Sequence, residues 1–273
     1  LVICLKLFII DFWRCFGHDP SYHTAHVQKL ASDSILKERT LELYTSPFLG
    51  VLCHHAKEAW QRYVDHDFVR QVSDGRLPRA AFIHYLKQDY IFLIHFARAW
   101  ALAVFKSDRI QEMRTAAATV HALIDHEMRL HIQTCASAGI PETMLADTKE
   151  EKENLTYTRF VIDAGMKGDL LDLLVALSPC VFGYGEIGKR LAIETSGPAP
   201  DHPYKEWIDS YASYEYQAVC NDVGTLLENV AQRLIGPEPM ASPRWPELLG
   251  TFDRASRLEA DFWAMALRGA KAA

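Results

Sequence analysis

From Phe48 onward, apolar residues recur at three- and four-residue steps with polar residues between them, the period of helices buried along one face. The clearest stripe, Phe82, Tyr85, Leu86, Phe92, Leu93, Phe96 and Trp100, predicts a helix over 79–105. Pro78 stands at its start, where a missing N–H costs little. Similar patterns predict helices over 48–73, 113–136, 149–164, 169–194 and 246–267, and one from His202 to just before Gly236. Asp74-Gly75, Gly139-Ile140-Pro141, Gly197-Pro198-Ala199-Pro200 and Gly236-Pro237 punctuate them. No segment alternates with the two-residue period of a strand. Helices joined by short turns predict an all-α fold.

Residues 1–45 break the pattern. Leu1 to Ile10 is apolar, but Lys6, Asp11 and Arg14 interrupt the run well short of the roughly 20 residues a spanning helix needs. The expectation is an extension or linker remnant of undefined function, followed by a main domain over 46–273 with no membrane role. A net charge of -6 without any Lys/Arg run leaves no footprint for nucleic acid and points to a small-molecule partner. The six cysteines form no C-x-x-C pair in a chain too long to need disulfide staples, so reduced thiols in a cytoplasmic protein are expected.

Three places carry candidate chemistry. Asp89 lies on the apolar stripe of the 79–105 helix, either as a satisfied anchor or as a functional acid. Glu259 shares a helix face with Phe262 and Trp263, which makes it a second buried carboxylate beside aromatic rings. In the stretch Leu177 to Glu186, Pro179 removes a backbone donor next to Cys180 and predicts a kink there. Tyr184 follows one turn later, and Gly183 and Gly185 beside it suggest room for a flat ligand. Taken alone, this stretch fits an inert core cysteine better than a nucleophile. Glu127 and His131 are four residues apart and could share a metal, but no further ligands stand at suitable spacings; a solvated or salt-bridged face is expected. Cys53-His54-His55 are adjacent on a helix and so point in different directions.

Six blocks, in order, resemble one known family: Phe68-Val69 with Gly75-Arg76-Leu77; Phe82-x-x-Tyr85-Leu86-x-Gln88-Asp89-Tyr90; Tyr157; Ser178-Pro179-Cys180 with Tyr184-Gly185-Glu186; Trp207-Ile208-x-x-Tyr211; and Glu259-x-x-Phe262-Trp263. Over residues 48–268 the chain resembles the TenA family of thiaminase II proteins. The resemblance implies a heme-oxygenase-like helical fold and a homotetramer. It also implies hydrolysis of thiamin, or of breakdown products such as aminomethyl-aminopyrimidine, to hydroxymethylpyrimidine in thiamin salvage, without metal or organic cofactor.

By the same resemblance Cys180 matches the nucleophile, Glu259 the catalytic glutamate and Asp89 the aspartate that holds the aminopyrimidine. Tyr157, Tyr184, Tyr211 and Phe262 match pocket aromatics. Phe92 stands where many members have tyrosine, and Gly185 replaces a tyrosine of many bacterial forms, as it does in the fungal branch. In that branch the domain often follows a pyrimidine kinase, and Gly17-His18-Asp19-Pro20-Ser21-Tyr22-His23 can be read as a relic of the kinase or its linker. Two other readings stay open: a non-catalytic pyrimidine-binding or regulatory member, and a metal-dependent oxygenase resting on Glu127 and His131.

Overall fold

The computed structural model describes residues 44–194, 199 and 201–269. Residues 1–43 of the expected extension, including 17–23, and most of the 197–200 break lie outside the described residues. Tyr44, assigned above to the extension, belongs instead to the core: it is buried, and its ring stacks on Phe182 at 5.4 Å.

The described residues contain helices and no strand, as the periodicity predicts. The 48–73 segment, expected as one helix, is three: α1 (Pro47–His55), α2 (Lys57–Val64) and α3 (Asp67–Ser73). Ser46 caps α1 by accepting from the Leu49 N–H at 3.1 Å. His66 takes an extended conformation and its Nδ1 accepts from the Phe68 N–H at 3.2 Å, so a histidine does the capping that serine or aspartate usually announces. Next come α4 (Arg79–Lys106) and α5 (Ile110–Ala122). A π-helical turn (Leu123–Glu127) leads from α5 into α6 (Met128–Ser137). A short α7 (Glu142–Ala146) precedes α8 (Lys152–Lys167) and α9 (Leu170–Glu194). The predicted helix after His202 is divided into α10 (Lys205–Ala212) and α11 (Tyr214–Ile235). Ser213 breaks it by turning extended and capping the Tyr216 N–H at 3.1 Å. The last helix is α12 (Trp245–Gly269).

Four helices, α4, α8, α9 and α12, each pack against the other three and form the centre of the bundle. Among the described residues α9 alone is long and apolar enough to cross a membrane, but 83% of that stretch is buried inside the protein. Its apolarity is therefore that of a core helix. Leu171, Leu173, Leu174, Val175, Leu177 and Phe182 are each no more than 2% exposed. Burying such side chains stabilises by about 1.5–3 kcal/mol apiece, as an upper bound. Together they outweigh the roughly 3 kcal/mol that an interior proline costs, so α9 runs through Pro179 as one helix.

The glycines beside Tyr184 do not leave room for a ligand, contrary to the sequence reading. A side chain at Gly183 would run into the ring of Tyr63, and one at Gly185 would lie 2.8 Å from both the Cys220 sulfur and the Tyr44 hydroxyl. These positions are bare so that other protein groups can approach α9 closely. Gly183→Ala is accordingly expected to destabilise the fold by about 1–3 kcal/mol, read as a lowered Tm.

Candidate active site

Each of the four central helices delivers polar or aromatic groups to one place. Cys180 comes from α9, Glu259 from α12 and Tyr157 from α8, and all three are buried. The Tyr157 hydroxyl donates to Glu259 Oε1 at 2.8 Å, and Cys180 is among the groups that act electrostatically on the same carboxyl. Burial raises Glu259 from 4.5 to about 8, and the nearby Asp89 adds to the rise, while the hydrogen bond from Tyr157 and the influence of Cys180 oppose it. Burial likewise holds the Cys180 thiol well above its ordinary value, and the carboxylates of Glu259, Glu127 and Asp89 push it further. At neutral pH the sulfur therefore keeps its proton, and Glu259, once ionised near pH 8, is a base that can take it, an arrangement that can form a nucleophile at the moment of attack.

A second polar group centres on Asp89 of α4. Its Oδ2 accepts from the Tyr85 hydroxyl at 3.1 Å and lies 2.6 Å from His131 Nε2. Burial alone would lower the His131 pKa, but the Asp89 and Glu127 charges override it and leave the imidazole raised, with its Nε2 facing Asp89. The Glu127 carboxyl in turn accepts from the Tyr211 hydroxyl at 3.1 Å. Burial lifts Glu127 from 4.5 to about 7; His131 and the Tyr211 hydroxyl pull it down and Asp89 pushes it up. The solvated face expected for Glu127 and His131 is thus corrected in one respect. His131 is buried, at 6% exposed, and its ion pair is with Asp89, while its Nδ1 lies 3.3 Å from the Glu127 backbone carbonyl.

Aromatic rings surround these groups. Phe92 lies 5.1 Å from the Tyr157 ring and 5.6 Å from Phe262. Tyr184 lies 4.8 Å from Tyr211, 5.3 Å from Trp263 and 6.0 Å from Trp207. Trp207 Nε1 donates to the Tyr85 hydroxyl at 3.3 Å, which ties α10 to the Asp89 group. Direct contacts therefore connect seven of the eight residues singled out in the sequence, Glu259, Asp89, Tyr157, Tyr184, Tyr211, Phe262 and Phe92, through these intermediates, and the eighth, Cys180, is buried in the same core. Sequence reasoning missed the part played by His131, Glu127, Tyr85 and Trp207. A usable signal existed in two pairs at helical spacing, Tyr85 with Asp89 and Glu127 with His131.

His54 and His55 are exposed while Cys53 is buried, so that triplet diverges as expected. Among the described residues no group of three or more His, Cys, Asp or Glu side chains is placed to hold a metal ion.

The fold and site together define a helical bundle with an aromatic-walled group of carboxylates, imidazole and thiol at the junction of its central helices. Comparison with known proteins makes the assignment more particular. The chain belongs to the TENA/THI-4/PQQC family, whose model matches residues 54–269. It is 34% identical over 220 residues to an aminopyrimidine aminohydrolase of Halalkalibacterium halodurans, covering 80% of this chain and 95% of that one. It is similar to the crystal structure of a TenA family transcription regulator from Silicibacter sp. TM1040, with a TM-score of 0.79 and 52% identity, covering 83% of this chain and 98% of the other. It also matches the hydroxymethylpyrimidine/phosphomethylpyrimidine kinase THI20 of Saccharomyces cerevisiae at 27% identity over 245 residues, 87% of this chain but 43% of that protein.

Proposed function

We propose that the chain hydrolyses an aminopyrimidine of the thiamin type, releasing hydroxymethylpyrimidine and an amine through a Cys180–pyrimidine intermediate. The observation that carries this reading is the buried Glu259 carboxyl, hydrogen-bonded by Tyr157 at 2.8 Å and raised to about 8, with Cys180 and Asp89 among the groups acting on it. The similarity to an aminopyrimidine aminohydrolase supports the substrate class.

In this mechanism the thiol proton passes to Glu259 as the sulfur forms a bond to a ring carbon, and the ring nitrogen takes a proton from the Asp89–His131 pair. The ring electrons then expel the amine from the methylene, with Glu259 returning its proton to the leaving nitrogen. Water adds to the exposed methylene and gives a proton to Glu259. The carbon–sulfur bond breaks, the ring nitrogen returns its proton to the Asp89–His131 pair as the ring becomes aromatic again, and Glu259 gives its proton back to the sulfur, restoring the thiol. The sum is one water consumed and one amine released. Splitting the displacement in this way replaces one difficult step with two easier ones. Two carboxylates in unlike surroundings divide the work: Glu259 is raised and moves protons, while Asp89 faces the His131 imidazole.

Asp89→Asn is expected to weaken hydroxymethylpyrimidine binding by about 10- to 100-fold, the worth of one hydrogen bond to a charged group. Calorimetry reads it, and unchanged affinity would remove Asp89 from the binding site. Ammonia release from aminomethyl-aminopyrimidine tests the activity itself.

A second reading is binding without turnover. It is favoured by the regulator named among the similar structures and by a thiol held firmly protonated. Binding of the pyrimidine with no ammonia released would select it.

A further inference from the structure

Tyr63 is fully buried, and its hydroxyl has no hydrogen-bond partner among the described residues. An unpaired buried phenol costs about 1–3 kcal/mol, so such a group calls for a reason. Its location supplies one. The ring is stacked near Trp263 at 6.3 Å and 24°, and Trp263 lies one turn beyond Glu259 on α12. On the other side it fills the space left by Gly183, three residues beyond Cys180 on the same face of α9; a Cβ there would stand 2.6 Å from the Tyr63 oxygen. Tyr63 is therefore wedged between the two helices that carry the thiol and its base, and α9 gives up a side chain to admit it.

We propose that the Tyr63 hydroxyl is a further substrate-binding and water-positioning group, which hydrogen-bonds the oxygen that arrives at the pyrimidine methylene. In the resting site that oxygen is the attacking water, and in the product it is the hydroxyl of hydroxymethylpyrimidine. The chemistry around it agrees. Burial first, then the Glu259 carboxylate and the neighbouring Cys180 and Tyr157, hold the phenol well above its ordinary value, so it stays a neutral donor. Its contacts with Trp263, one turn beyond Glu259, and with the space at Gly183, three residues beyond Cys180, place Tyr63 beside the helices that carry the proton-moving residues. Tyr157 already donates to one Glu259 oxygen, so a second phenol nearby leaves Glu259 free to take a proton from the water that Tyr63 holds. The inference rests on the aminopyrimidine reading and names the group that positions its second reactant.

Tyr63→Phe removes only the hydroxyl and leaves ring packing in place. The full chain and this variant are titrated calorimetrically with hydroxymethylpyrimidine and with the analogue carrying a methyl in place of the hydroxymethyl group. The wild type is expected to bind the hydroxymethyl compound about tenfold more tightly than the methyl analogue, and Tyr63→Phe is expected to bind the two alike. The variant's Tm should equal or exceed that of the wild type, since an unpaired buried hydroxyl has gone. A purely structural tyrosine would not move the ratio, so an undiminished preference for the hydroxymethyl compound in Tyr63→Phe overturns the proposal. If the wild type binds neither compound, the aminopyrimidine reading fails and this inference falls with it.

Discussion

Replacing Cys180 with alanine is expected to lower amine release from aminomethyl-aminopyrimidine by at least about 10³-fold, in the manner of other essential nucleophiles. Affinity for hydroxymethylpyrimidine should change by no more than about threefold, because a sulfur that acts by adding to the ring contributes mainly to the transition state. The two readouts together separate chemistry from binding. The helix itself is expected to survive: Cys180 is buried among well-packed neighbours on α9, and loss of one sulfur is small beside six apolar side chains at no more than 2% exposure. Turnover within about tenfold of the wild type would remove the covalent step from the account.

Glu259→Gln is the second large effect. A carboxyl that moves protons in each half of the reaction typically contributes about 10²–10⁴-fold, and kcat should fall by that amount. The pH profile discriminates further. Because Glu259 titrates at about 8 and must be ionised to receive the thiol proton, kcat/KM for the wild type is expected to rise with pH through an inflection near 8. The glutamine variant should lack that inflection. Stability should shift in the opposite sense. A carboxyl raised in the folded state contributes stability that is complete below its unfolded value near 4.5 and is lost as pH rises through about 8. Glu259→Gln should therefore show a higher Tm than the wild type at about pH 9, as a neutral side chain replaces a buried charge. A lower Tm at that pH would contradict the assigned burial cost.

The contrast between α4 and the first three helices shows what the sequence made legible. The stripe from Phe82 to Trp100 keeps a strict helical period, and the helix Arg79–Lys106 follows it almost to the residue. The 48–73 region has the same period, yet breaks at Ala56 and again at Asp65-His66, because period reports burial and not backbone continuity. His66 acting as a cap through its ring nitrogen has no compositional flag. Ser213 does carry the usual cap signal, but it sits among the aromatics of a longer apolar pattern that hides it.

At the site, residue types and spacings marked Cys180, Asp89 and Glu259 only as candidates on separate helices, and the family resemblance supplied their roles. Spacing along a helix could not say that Tyr157 would meet Glu259 or that Phe92 would touch Phe262, since those pairings depend on which helices meet. The role of His131 was legible only in part. Its four-residue spacing from Glu127 marks a pair, but whether the pair faces solvent or the interior is decided by α6 packing against α4, where Asp89 is the partner. The glycines of α9 mislead in the other direction. A missing side chain reads as open space in sequence, but Tyr63, Tyr44 and Cys220 fill it in the fold.

The most direct test of the central claim is to incubate the full wild-type chain with aminomethyl-aminopyrimidine and quantify both ammonia and hydroxymethylpyrimidine. The account predicts catalytic, equimolar release of the two, in amounts far above the enzyme concentration. Binding of the pyrimidine with neither product formed would contradict it and leave a protein that recognises an aminopyrimidine without cleaving it.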